Sequence, residues 1–136
     1  MSPPVALALA GALIVLAIIV GVVLRLVDGR RRGAGHLRFD PAHAHGDLGS
    51  RATLVQFSTE QCARCPQVRR LLGTIAASGD GLAHVEVDLT HRPELSQQYH
   101  VLSTPTTFLV DRTGAVRARF TGVPHRQAID EALAAL

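Results

Sequence analysis

The sequence predicts an α/β domain, a mixed sheet with helices on both faces, set behind one N-terminal transmembrane helix. Three observations carry that prediction. Residues 5–24 are an unbroken run of twenty Val, Ala, Leu, Ile and Gly residues. At 1.5 Å per residue such a run spans the roughly 30 Å of a hydrocarbon core. Downstream, apolar strand-like runs alternate with segments of helical periodicity, as parallel crossovers require. The last two strand-like runs are instead joined by a tight turn, which adds an antiparallel hairpin.

A chain of 136 residues holds one small domain with an appendage and excludes a large multidomain enzyme. Its two cysteines exclude a disulfide-rich scaffold and cannot alone complete a four-ligand structural zinc site. All 14 basic residues are Arg. Arg25, Arg30, Arg31 and Arg32 cluster beside a single acid, Asp28, whereas from His36 onward ten Arg face ten Asp and Glu. The net charge of +3 therefore resides wholly in a short collar. With one Tyr, no Trp and a neutral C-terminal portion, nucleic acid is not an expected partner.

A cleaved signal peptide carries positive charge ahead of its apolar run and a small-x-small site close behind it. Here Met1–Pro4 is uncharged and the nearest Ala-x-Ala is Ala42–Ala44. The expectation is an uncleaved anchor at 5–24, a basic juxtamembrane linker at 25–35 and a compact domain at 36–136. The one-sided collar of Arg25, Arg30, Arg31 and Arg32 predicts a single-pass protein whose C-terminal domain is cytoplasmic. Abundant Ala and Arg with no Lys point to a GC-rich genome, and so to a bacterial cell membrane.

Within the domain, His36–Phe39 is expected as a short lead-in strand and Pro41–Leu48 as a loop or weak helix. Thr53–Ser58 is an apolar strand. Pro66–Ala77 places Val68, Leu71, Leu72 and Ile75 on one helical stripe. Ala83–Leu89 reads as a second strand, Pro93–His100 as a short helix with Leu95 and Tyr99 on one side, and Thr106–Val110 as a third strand. Asp111–Gly114 is a hairpin turn with Gly available for a left-handed position. Val116, Ala118 and Phe120 alternate with Arg117 and Arg119 as in a half-exposed strand. Ile129, Ala132, Leu133 and Leu136 share one face of a closing helix.

Cys62-Ala63-Arg64-Cys65 falls between the first apolar strand and the first amphipathic helix. A cysteine at a helix start meets unpaired backbone N–H groups and the positive end of the helix dipole, both of which favour thiolate. The CxxC spacing brings the second sulfur onto the same turn, and Pro66 suits a helix start because its missing N–H costs little there. Three other uses of the pair remain open at this stage. They are half of a metal site completed by His43 or His45, a haem attachment (for which Pro66 stands where His is needed), and two inert buried thiols.

A spaced set of residues resembles the thioredoxin family. It comprises Leu54-Val-Gln-Phe57, Cys62-Ala-Arg-Cys65, Val87-Asp88, Thr104-Pro105-Thr106, Gly114 and Gly122, and it extends over residues 36–136. The resemblance implies a thioredoxin-like fold, a cis Thr104–Pro105 bond beside the disulfide, and pairing of the Thr104 backbone with an extended substrate. The chain departs from the family pattern at Gln61 and Ser58, where Trp is common, and at Ala63-Arg64, where Gly-Pro is common. Gln56 stands where a buried Asp usually helps take the proton from the second cysteine. His84, near a family lysine, is a candidate substitute base, although a strand histidine without a catalytic part is the simpler reading.

The expected activity is thiol–disulfide exchange with protein substrates at the membrane, as a reductant, within cell redox homeostasis. Cys62 is the nucleophile, Cys65 the resolving cysteine, and Thr104 and Pro105 position the substrate. Arg64, a cation between the cysteines, favours the Cys62 thiolate and so the reduced form. No metal and no dissociable cofactor are expected beyond the Cys62–Cys65 pair. The expected partners are protein thiols and disulfides, an upstream electron donor and the lipid bilayer. The alternative is a redox-inert thioredoxin-like binding module tethered to the membrane.

Overall fold

The computed structural model describes residues 2–27, 31–33 and 35–136. Met1, Asp28, Gly29, Arg30 and Ala34 lie outside the described residues, and with them Arg30 of the basic collar and part of the 25–35 linker. Helix α1 (Pro3–Val27) extends the expected apolar span by a few residues at each end. None of its side chains is buried within the protein, and it is long and apolar enough to cross a membrane.

The remaining elements run β1 (Arg31–Arg32), a 3-10 turn (Pro41–His43), β2 (Ala52–Ser58), α2 (Cys65–Ser78), β3 (Leu82–Asp88), α3 (Pro93–Gln98), β4 (Thr106–Asp111), β5 (Val116–Thr121) and α4 (Arg126–Ala134). The sheet order is β1-β5-β4-β2-β3. β2 and β3 are parallel, joined through α2, and every other pair is antiparallel. The Asp111–Gly114 turn closes through the Asp111 carboxylate, which accepts from the Thr113 amide at 2.8 Å and the Ala115 amide at 3.1 Å. Gly114 has φ +87°, a left-handed conformation that glycine adopts without steric cost.

Two apolar layers flank the sheet. On one face Val55 and Phe57 of β2 pack with Val87, Phe108, Leu95 and Tyr99. On the other, Leu54 packs with Val68, Leu72 and Ile75 of α2 and with Ile129 and Leu133 of α4. β2 is buried along its whole length, so its apolar residues serve both layers.

One element differs from expectation. The lead-in strand at His36–Phe39 reduces to a single bridge between Arg38 and Ala115, supported by Val116 N donating to Leu37 O at 3.0 Å and Phe39 N donating to Gly114 O at 2.8 Å. The strand that borders β5 lies earlier, at Arg31–Arg32, in register with Phe120 and Arg119. Gly35, with φ +62°, separates the two segments and breaks an extended run that would otherwise continue along β5.

Candidate functional site

Cys62 and Cys65 form a disulfide with Sγ–Sγ 2.04 Å, a dihedral of 84° and Cα–Cα 5.4 Å. Cys65 is the first residue of α2 and is 1% exposed, because Val68 and Leu72 draw this end of the helix onto the sheet. Cys62 sits in the preceding loop and is half-buried, so the first sulfur is the accessible one. Arg64 lies exposed between them.

The Thr104–Pro105 peptide bond is cis. Two contacts bring this loop to the cysteines. The Cys62 amide donates to Thr59 O at 3.2 Å, and Thr59 Oγ1 lies 3.4 Å from Thr104 Oγ1. The residues singled out from sequence therefore gather at one end of the sheet, where β2 finishes and β4 begins.

Beneath the disulfide lies the neutral amide of Gln56. Its Nε2 donates to the Cys65 carbonyl at 3.0 Å, and its Oε1 lies 3.0 Å from His84 Nε2. With the amide nitrogen committed to a carbonyl, the amide oxygen must accept, so His84 Nε2 carries the hydrogen. Burial holds the His84 pKa below its ordinary value, against a smaller opposing pull from Glu86, while nearby Arg69 lowers it further. His84 is thus neutral at pH 7 and its site-facing nitrogen already holds a proton. It positions Gln56 and does not act as a base toward Cys65 through that amide.

Glu86 accepts two hydrogen bonds from Arg69, at 2.6 and 2.7 Å, and one from Ser58 Oγ at 2.6 Å. The Arg69 hydrogen bond is the main reason its carboxyl stays below the usual range, with burial opposing. Both shifts favour proton loss in the folded state, so the folded chain is stabilised above each ordinary pKa and loses that contribution as pH falls. Stability is expected to decline first below about pH 6.5 through His84 and again below about pH 4.5 through Glu86. Urea midpoints measured across this range check it. The Glu86→Gln variant should keep the first decline and weaken the second, to which Asp88 and Asp111, held below their ordinary range by Thr90 and Thr113, also contribute.

Two contributors escaped the sequence reading. Arg119, expected on an exposed face, folds over the Phe108 ring at 4.8 Å from its centroid and donates to the carbonyls of Tyr99 and His100. It thereby anchors the segment leading into Thr104–Pro105. Leu102 in that segment is 98% exposed. Strict alternation does not predict the path of Arg119, whose long side chain turns back along the sheet, and Leu102 lies in a loop where no alternation applies. His43, one of the open metal ligands, instead contacts the Tyr99 hydroxyl through Nδ1 at 2.6 Å. Among the described residues no group of three or more His, Cys, Asp or Glu is placed to hold a metal ion.

A half-exposed sulfur bonded to a buried one at a strand-to-helix junction, on a mixed sheet, defines a thiol–disulfide oxidoreductase. The sequence model described as a thioredoxin domain matches residues 53–134, and the chain belongs to the thioredoxin family. Its fold is similar to that of oxidized mitochondrial thioredoxin 3 from Saccharomyces cerevisiae, at 17% identity and TM-score 0.55, covering 64% of this chain and 80% of that one. The reduced Schistosoma mansoni thioredoxin pre-protein gives 16% identity and TM-score 0.54 over the same shares. At these identities the likeness is one of fold. No curated protein matches the sequence significantly.

Proposed function

We propose that the protein is a membrane-anchored reductase of protein disulfides, held in the bilayer by α1 with its domain on the cytoplasmic side. The observation that carries the chemistry is the pairing of a half-exposed Cys62 with a buried Cys65 at the head of α2, next to the Thr104–Pro105 loop. In the reduced form the Cys62 thiolate attacks a substrate disulfide, and a mixed disulfide forms as one substrate thiolate leaves. Cys65 then attacks Cys62, which closes the internal disulfide and frees the second substrate thiol. Thr104 and Pro105 position the substrate chain. Arg64 stabilises the Cys62 thiolate, and the sulfur pair is the only redox group required. An upstream dithiol donor must return two electrons for each turnover.

The reducing direction rests on the arginine collar, since the cytoplasm keeps thiols reduced. The reduction potential of the full chain in detergent, equilibrated against dithiol and glutathione buffers, tests it. A value near about −270 mV is expected of a reductase, whereas one at about −120 to −180 mV would mark an oxidase or isomerase and overturn the direction. A pair that fails to cycle would leave the tethered binding module.

A further inference from the structure

The path by which the chain enters the sheet places the redox end of the domain toward the anchor. β1 runs antiparallel to β5, with Arg31 opposite Phe120 and Arg32 opposite Arg119. β5 finishes at Thr121, opposite Thr106 of β4, and the next amide, Gly122 N, donates to Pro105 O at 2.8 Å. Because β1 is antiparallel, it starts at that same end. The chain coming from α1 thus joins the sheet at the end that carries Pro105 and the disulfide.

Distance then limits where the site can work. Four Cα steps separate Val27, the last residue of α1, from Arg31, a reach of at most about 14 Å. Across the sheet, β1 and β2 are three strand spacings apart, about 14 Å more. The four Cα steps from Ser58 to Cys62 add at most about 14 Å, so the disulfide lies within about 42 Å of the end of α1. The other end of the domain is the one free to point away. A groove opens between Gly33, His36 and Leu37 on the anchor side and the exposed Leu102 and Ser103.

We propose that the substrate is a disulfide carried by a membrane-spanning protein just outside its own span, rather than one on a protein of the bulk aqueous phase. This rests on the membrane-anchored oxidoreductase reading above. The exchange passes two electrons from the Cys62–Cys65 dithiol to that disulfide, leaving a dithiol on the partner and the internal disulfide on this chain.

The test uses the full chain in phospholipid vesicles, reduced beforehand with dithiothreitol and then freed of it. Two synthetic single-span peptides serve as probes. One carries a fluorogenic disulfide directly after its span, and the other carries it on a 40-residue helical stalk, about 60 Å out. The near probe should be reduced about tenfold or more faster, through its higher effective concentration. Inserting 20 Gly/Ser residues after Val27, which adds a coil of about 25 Å, should largely erase the preference. Equal rates on the two probes, or a preference that survives the insertion, would overturn the proposal. A small water-soluble aromatic disulfide should react equally with both chains, and matching circular dichroism spectra show that the inserted variant is folded. Failure to reduce even that compound would sink the oxidoreductase reading, and release from vesicles by alkaline carbonate would sink the anchor. Each of those results is distinct from a loss of near-probe preference.

Discussion

Cys62→Ser is expected to lower dithiol-driven reduction of a protein disulfide by roughly 10³-fold or more, the scale on which removing a nucleophile acts. The hydroxyl cannot ionise near neutral pH, and Cys65, 1% exposed, is poorly placed to attack an incoming disulfide in its stead. Cys65→Ser should behave differently. Attack by Cys62 still occurs, but the resolving thiol is gone, so the mixed disulfide with substrate accumulates. A non-reducing gel would show a covalent adduct that dithiothreitol dissolves. If Cys62→Ser also trapped that adduct, or if Cys65→Ser turned over normally, the assigned roles would be wrong.

Phe57→Ala is expected to be the most destabilising single truncation, at about 3–5 kcal/mol. Phe57 is fully buried on β2, with ring centroids 4.8 Å from Phe108, 5.4 Å from Tyr99 and 6.4 Å from Phe39. Those neighbours come from β4, the end of α3 and the lead-in segment, so one cavity loosens three connections at once. Set against a total of about 5–15 kcal/mol for a domain of this kind, much of the stability would be lost. Urea unfolding should show a sharply lower midpoint with an unchanged slope. Phe57→Leu, which keeps most of the volume, should cost less than half as much.

The elements that the sequence made legible are those with a strong period or a mandatory turn residue. The stripe of Val68, Leu72 and Ile75 buries as α2, the apolar run before Ser58 becomes the inner strand β2, and Gly114 takes its left-handed turn position. The cysteine pair and the Thr104–Pro105 loop were legible because family spacing marks them. Features made by backbone pairing or by one side chain's path were not. Arg31–Arg32 has no alternation to read; only the free edge of β5 defines it as a strand. The Gln56 link to the Cys65 carbonyl needs the register of β2 against α2, which no local pattern encodes. Arg119 carries the same alternation signal as exposed Arg117, yet it bends inward to hold the Tyr99–His100 carbonyls.

The brief strand β1 has a consequence for life on a membrane. Anchoring, as proposed, confines copies of the chain to two dimensions and raises their encounter rate. Under such crowding, a bare strand edge is a template for intermolecular pairing and aggregation. β1 covers part of the β5 edge with the protein's own backbone, at Phe120 and Arg119. The opposite edge, β3, carries Glu86 and Asp88 on alternate positions, and charged side chains along an edge discourage a second copy from adding a strand. The segment that tethers the domain thus also guards it against its neighbours.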